Sequence, residues 1–417
     1  MTARTRVAVL VTAAVNRFSR LVGAGHGTVA GGRVGLAIAR DGVAELGRGR
    51  TTAVVSGTNG KTTTTRLLAA ALETAGSPVV TNATGSNMPA GHFAALAEGP
   101  GGAPAVLETD EGYLPATLSS LRPEVAVLLN LSRDQLDRSN EVRMVARRWR
   151  DALALTGGTV VANADDPLVA FGAGSAPSVV WVAGGGRWRA DAGGCPVCDG
   201  RIRFAGWSWS CGCGFARPEP EVSVEERADG TTAVFADGRR LSVELAIPGG
   251  FNRRNAVMAA AAAEVLGVTA ERALEEMRRV DGVAGRFSMH SVRGVRARLL
   301  LAKNPAGWDE LLELVGGQER PVVVAINART ADGRDPSWLW DVPFERLGAR
   351  PIVASGERSA DLSVRLHYAG LEHTRIDDPA AAIEAAANLA SNGGGEPVEF
   401  IGNYTAFHDL LRSSPLS

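Results

Sequence analysis

The stretch Thr51–Leu72, TTAVVSGTNGKTTTTRLLAAAL, decides how the rest of the chain is read. A short, largely β-branched run comes first. A turn bounded by Gly57 and Gly60 follows, and then an alanine- and leucine-rich segment of helical composition. Its lysine is out of keeping with the chain. Of 44 basic residues only Lys61 and Lys303 are lysine; all the others are arginine. A compact ammonium at two positions, in a chain that elsewhere accepts the planar guanidinium, marks places where a point charge is needed.

A strand, a glycine turn and a helix N-terminus make an anion site, because the unpaired N–H groups of the first helical turn and the helix dipole both face the turn. In Gly57-x-x-Gly60-Lys61-Thr62, the loop residues Gly57, Thr58, Asn59 and Gly60 would cradle the phosphates of ATP. Lys61 would reach the β- and γ-phosphates, and Thr62, followed by Thr63, would hold magnesium. The longer form of this motif has a glycine where the chain has Val55, so the match is to a shortened phosphate loop. Magnesium takes oxygen ligands. Glu108, the first carboxylate after the apolar run Ala105–Leu107, is the candidate, with Asp110 and Glu111 as alternatives and a helix-capping role competing at Asp110.

Outward from this stretch the pattern repeats. The runs Ala53–Val55, Ala105–Leu107, Val125–Leu129 and Val160–Ala162 each end in a polar cluster and lead into helical sequence. That alternation predicts a doubly wound parallel sheet with its ligands at the carboxyl ends of the strands. After Arg286 the alternation resumes with strands at Ala297–Leu301, Pro321–Ile326, Ile352–Ala354 and Val398–Ile401, and helices at Trp308–Val315 and Pro379–Leu389. The expected fold is therefore α/β: a phosphate-loop domain over 51–286 and a smaller Rossmann-like α/β domain over 287–417, preceded by a lead segment, 1–50.

Between them, at about 187–216, glycine, tryptophan and every cysteine cluster in an insertion. Cys195-x2-Cys198-x12-Cys211-x1-Cys213 supplies four thiolates, enough to close a tetrahedral zinc with no open position. Two disulfides are the competing reading, disfavoured in a reducing compartment. Trp188, Trp207 and Trp209 are candidates to cover the small core of this ribbon.

The net charge of −1 excludes a general basic field for nucleic acid. No stretch reaches the ~20 apolar residues of a membrane span. The apolar run Val7–Val15 after two arginines resembles a signal peptide, but Asn16, Arg17 and Arg20 follow it without a small-residue cleavage site. The expectation is a helix packed on the first domain of a soluble, cytoplasmic protein.

SGTNGKTTTT, TNATGSN, the strand end at Glu108, NLSRDQLDR, NADDP, GGFNRRNAVMAAAAA and GVAGRF occur in this order. Together they resemble the Mur ligase family, ATP-dependent enzymes that form amide bonds on peptidoglycan precursors. The resemblance implies that Lys61 and Thr62 bind ATP-magnesium and that Glu108 binds magnesium. It further implies that Asn252, Asn255 and Arg286 contact the nucleotide, and that Lys303 faces the γ-phosphate and an acyl phosphate. Leu301 stands where many members have an aspartate for the ribose, and Gln135 where many have a histidine. Only about fifty residues stand where the family carries a domain for a UDP-sugar. The four-cysteine insertion, LLAKNPAGWDELL and INARTADGRDPSWLWDVPFE resemble the members that amidate the glutamate of lipid II together with a GatD-type glutamine amidotransferase subunit. In that reading an aspartate of Thr330–Glu345, Asp335 before Asp332 or Asp341, completes the partner's Cys-His pair. A helix cap at Asp335, with the tryptophans in the core, is the plainer reading of the same segment. Rival readings are a folylpolyglutamate-synthase-like ligase and a zinc-ribbon ATPase acting on nucleic acid.

Overall fold

Five consecutive buried residues form β1 (Thr52–Ser56). A strand so apolar on both faces needs cover on both sides. The computed structural model describes residues 1–21, 28–73, 78–82, 86–133, 142–186, 188–227, 230–283, 287–317, 319–390 and 396–413. The chain divides into two units, Met1–Ser132 with Glu141–Asp281, and Arg133–Asn140 with Gly282–Ser417.

In the first unit the remaining strands of the main sheet are β2 (Val80–Thr81), β3 (Ala105–Thr109), β4 (Val125–Leu128), β5 (Thr159–Asn163) and β6 (Val179–Val182). Two more, β7 (Ile202–Ala205) and β8 (Ser208–Cys211), form a separate hairpin, and β9 (Val222–Arg227), β10 (Gly230–Phe235) and β11 (Arg240–Ser242) return to the sheet. The order is β11-β10-β9-β6-β5-β4-β1-β3-β2. From β2 to β6 the strands are parallel, and β9–β11 run as an antiparallel meander at the edge. β3 lies on one side of β1 and β4 on the other, so the winding reverses at β1 and leaves a crevice beyond its carboxyl end.

Helices Ala3–Leu21, Thr28–Ile38 and Gly42–Gly47 pack onto this unit. The contact is close because the middle helix presents glycine: a methyl at Gly32 would lie 1.9 Å from the carbonyl of Ala90. Arg50 ties the segment to the sheet edge, its buried guanidinium donating to the carbonyls of Leu46, Pro100 and Ala103. The β7–β8 hairpin carries a small core of Cys195, Ile202, Trp209 and Cys211 with Phe204 and Phe215. Of the three nearby tryptophans, Trp209 fills that core and donates to the Ala164 carbonyl at 3.0 Å, whereas Trp207 is exposed.

The second unit has β12 (Met289–Val292), β13 (Val295–Leu301), β14 (Val322–Ala325), β15 (Ile352–Ser355), β16 (Thr374–Arg375) and β17 (Val398–Gly402) in the order β12-β13-β17-β14-β15-β16. All but β12 are parallel, a Rossmann-like arrangement. A charge fixes its register. Glu399 is fully buried on β17 and accepts from its cross-strand partner Arg298 at 2.8 Å through both oxygens, and from Arg320 at 3.2 Å. A one-residue slip would carry Glu399 to the other face of the sheet. Glu399→Gln leaves Arg298 without its counter-charge, and should cost about 3–5 kcal/mol. A urea titration followed by tryptophan fluorescence checks this; an unchanged midpoint would contradict the role given to the pair.

Candidate functional site

The carboxyl end of β1 opens into Gly57–Gly60, and the helix Lys61–Leu72 follows at once. Two backbone angles make that turn possible. Gly57 has φ +142° and Gly60, the helix N-cap, has φ +86°, both in territory that L side chains avoid. Space is equally restrictive: a methyl at Gly57 would lie 3.0 Å from the backbone of Asn130, and one at Gly60 2.9 Å from Oδ1 of Asn255.

Asn130, the residue two beyond β4, clasps the loop. Its side chain accepts from the Asn59 N–H at 2.9 Å and donates to the Asn59 carbonyl at 3.0 Å. Its carbonyl accepts from the Thr58 N–H at 2.9 Å. The Thr58 hydroxyl donates to the Ser132 carbonyl at 3.1 Å and accepts from the Ser132 N–H at 3.0 Å. The loop is thus tied to the neighbouring strand end through Thr58 and Asn59.

Lys61 folds back over the loop. Its Nζ donates to the carbonyls of Gly57 at 2.5 Å and Thr58 at 3.1 Å and pairs with Glu111 at 3.0 Å. Glu111 is itself held from behind, its carbonyl accepting from Nε1 of the buried Trp149 at 2.8 Å. Thr62 is half-buried in the first helical turn, and Thr63 is buried behind it.

Glu108 sits opposite Val55 in the β1–β3 register. Its backbone is doubly held: Asn82 accepts from its N–H and donates to its carbonyl, each at 2.8 Å. His92 Nε2 donates to the same carbonyl at 2.9 Å, and burial pushes the His92 imidazole below its ordinary pKa, which keeps it a neutral donor. The half-buried carboxylate accepts from Asn87 at 3.4 Å. The Thr62 hydroxyl and the Glu108 carboxylate are hard oxygen donors of the kind magnesium takes. Glu111 is committed to Lys61, and Asp110 caps its own turn by accepting from the Gly112 N–H at 3.0 Å.

Asn255 lies beside Gly60 on the helix Gly250–Val265, which packs along Lys61–Leu72. Asn252, one turn earlier, is buried. Its amide donates to the Pro248 carbonyl at 2.5 Å, and its Oδ1 has no partner among the described residues. Arg286 and Gln135 lie outside the described residues.

The four cysteines converge. Their Sγ atoms all lie within 4.8 Å of one another, with Cys195–Cys213 at 3.7 Å and Cys198–Cys211 at 3.5 Å. Tetrahedral zinc bound at about 2.3 Å places its sulfurs roughly 3.8 Å apart, whereas a disulfide requires about 2.05 Å. The separations fit a shared metal and not a pair of disulfides.

In the second unit Lys303 follows β13, with Nζ over the Tyr404 ring at 5.2 Å, and Asn304 caps the next helix by accepting from Gly307 N–H at 2.9 Å. Beyond β14 and β17, Asn327 and Asn403 bind each other, Asn403 donating to the Asn327 carbonyl at 2.6 Å and accepting from its N–H at 3.1 Å. Asp332 is buried and accepts from the N–H and hydroxyl of Thr405, so it braces this edge of the sheet. Asp335 is exposed and caps the short helix Pro336–Asp341, accepting from Ser337 N–H at 2.9 Å. Trp338 stacks on Trp308 in the core at 6.3 Å, while Trp340 is exposed against Tyr368. The plainer reading of this segment thus holds for Trp338 and for the cap at Asp335.

The residues that sequence reasoning passed over are Asn82, His92 and Asn130, and Asn327 and Asn403 in the second unit. Each is polar and buried or clasped at a strand end. The available signal was an asparagine directly after an apolar run, as in VVVAIN and FIGN.

Known proteins resemble this chain in sequence and in fold. The Mur ligase middle domain model matches residues 55–183, and the MurT ligase C-terminal model matches 301–407. A UDP-N-acetylmuramoylalanine–D-glutamate ligase of Rubrobacter xylanophilus is 30% identical over 84% of this chain and 70% of its own. The lipid II isoglutaminyl synthase (glutamine-hydrolyzing) subunit MurT of Streptococcus pneumoniae is 28% identical over 93% of both chains. Among solved structures, a pseudomurein peptide ligase type C from Methanothermus fervidus superposes with a TM-score of 0.64 at 21% identity, over 87% of this chain and 79% of that one. The chain belongs to the Mur ligase family of ATP- and magnesium-dependent, amide-forming ligases. Its carboxyl-terminal part matches the MurT branch, and it is a ligase.

Gly60→Ala tests the loop directly. The left-handed backbone costs alanine roughly 1–2 kcal/mol, and the methyl must displace Asn255. Misplacing the loop or Asn255 by about 1 Å should lower ATP turnover roughly 100-fold while the chain stays folded. Turnover equal to the parent's would show that the turn tolerates a side chain.

Proposed function

We propose that this ligase amidates the α-carboxylate of D-isoglutamate in the stem peptide of lipid II, at the cytoplasmic membrane face. The observation that carries the reading is the union, in one chain, of a Mur ligase middle domain match with a MurT ligase C-terminal match. The carboxylate takes the γ-phosphate of ATP, releasing ADP. Ammonia displaces phosphate from the resulting acyl phosphate, leaving D-isoglutamine. Gly57, Thr58, Asn59, Gly60, Lys61, Thr62 and Thr63 hold the phosphates in this scheme, and Asn252, Asn255 and Arg286 serve the rest of the nucleotide. Lys61 and Lys303 supply fixed positive charge where the transferred group becomes most negative, so the work is positioning and neutralisation. Magnesium, held by Thr62 and Glu108, would add charge on the same oxygens.

Ammonia comes from a GatD-type glutamine amidotransferase. Glutamine hydrolysis normally needs a nucleophilic cysteine, and the four cysteines of this chain sit together in one cluster. Asp335 is exposed, which suits a residue that serves a partner's histidine as the third member of a triad does. The acceptor is tested by following ATP turnover of the purified chain with lipid II, folate or DNA. Turnover with ammonium should respond to lipid II alone, and glutamine should support it only when the amidotransferase is added. Asp335→Asn should remove the glutamine-dependent reaction and spare the ammonium-dependent one. A response to folate or DNA, or glutaminase activity in the isolated chain, would refute the reading; loss of both reactions in Asp335→Asn would move the partner's aspartate elsewhere.

The cysteine cluster is proposed as a structural zinc site. Four thiolates leave no coordination position for a substrate. Gently purified protein should contain one zinc per chain. Cys198→Ser should lower the melting temperature and solubility more than the turnover of the folded fraction. Metal analysis without zinc would remove the assignment.

A further inference from the structure

The helix Ala3–Leu21 is built inside out. Its buried face is polar or small: Thr5, Ala8, Thr12 and Asn16. Thr12 donates to the Gly31 carbonyl at 3.0 Å and the Asn16 amide N–H to Glu98 at 2.8 Å, while the buried Asn16 Oδ1 has no hydrogen-bond partner among the described residues. The large apolar side chains point the other way. Val7 is 52% exposed, Leu10 71%, Phe18 66% and Leu21 77%. With the exposed Ala14, their spacing of three and four residues makes one continuous stripe diametrically opposite the buried face.

Positive charge borders the stripe. The helix contains Arg4, Arg6, Arg17 and Arg20 and no acidic residue. Arg20 approaches Glu98 at 3.8 Å, while Arg4, Arg6 and Arg17 have no ion pair among the described residues. Exposed Arg33 and Val34, on the helix Thr28–Ile38, extend the same composition. Apolar stripes of this size on a soluble protein mark an interaction surface.

We propose that this face docks the protein on an anionic lipid surface, the stripe entering the acyl boundary and the arginines meeting the headgroups. The chemistry selects that occupant. An amphipathic helix with aromatic and aliphatic residues on one side and arginine along its borders suits the interfacial plane of a bilayer. A second copy of the chain suits it poorly. A two-fold contact through this face is self-complementary, and it would set one arginine border against another with no carboxylate on the helix to offset them. The proposal stands on the helix alone, so it survives or fails independently of the amidation reading.

Co-sedimentation of the full chain with vesicles tests it. Vesicles of equal parts phosphatidylglycerol and phosphatidylcholine should bind at least about tenfold more strongly than phosphatidylcholine alone. Raising salt from about 0.1 M to about 1 M shortens the Debye length from about 10 Å to about 3 Å and should erase most of that difference. The double variant Leu10→Glu, Phe18→Glu should lose binding at least about tenfold with an unchanged melting temperature, since both side chains are exposed. The triple variant Arg4→Ser, Arg6→Ser, Arg17→Ser should keep weak binding and lose the preference for anionic vesicles. Three results would overturn the proposal: no binding by the parent chain, equal binding by the Leu10/Phe18 variant, or a parent dimer that this variant dissociates while vesicles bind neither form.

Discussion

Backbone N–H groups at the start of a helix have no partner within it, and the first unit is organised around keeping one such set fixed and available. β1 ends directly beneath the helix Lys61–Leu72, and only two glycines with positive φ let the chain turn from one into the other. A loop this short would not hold its shape unaided. Asn130 therefore binds both backbone groups of Asn59 from the end of the adjacent strand, and Thr58 exchanges hydrogen bonds with Ser132. Asn255 closes the remaining side at Gly60. The geometry is fixed by the sheet, because β4 can deliver Asn130 only if it pairs with β1 in the observed register.

The same constraint explains the state of Lys61. An ammonium with so little exposure requires acceptors. In this structure two loop carbonyls and Glu111 supply them. Any anion entering the loop would compete with Glu111 for the same three donor hydrogens. Arginine could not make this exchange as well. Its donors are spread over a planar fork, whereas the three on Nζ can turn toward carbonyls, carboxylate or phosphate in turn. That is the physical content of a lysine in a chain of arginines.

How much could be read from the sequence depends on the range of the interaction. Thr51–Leu72 announces its strand, turn and helix because each is specified by neighbours: β-branched residues, then glycine, then alanine and leucine. The strands Ala53–Val55, Ala105–Leu107, Pro321–Ile326 and Val398–Ile401 were legible as short apolar runs for the same reason, and the observed strands contain or nearly match them. The cysteine spacing implied one cluster, and the sulfurs meet. Long-range polar contacts were not legible. Nothing local tells Asn130 from any other loop asparagine, since its role exists only once β4 lies beside β1. The pairing of Asn327 with Asn403 is hidden likewise by a sequence separation of 76.

The lead segment shows a different limit. Val7–Val15 reads as an apolar run, and hydropathy alone assigns its apolar side to the core. Inverting that face is possible because the contact between the first two helices is made through glycine. Close approach at Gly31 and Gly35 leaves room on that face only for small or polar side chains, and the Thr12 hydroxyl and the Asn16 amide N–H each find an acceptor. Once small and polar residues supply the internal contact, Val7, Leu10, Phe18 and Leu21 are left exposed on the opposite face. Hydrophobic periodicity reports how a helix divides into two faces; which face points inward is decided by the surface it meets.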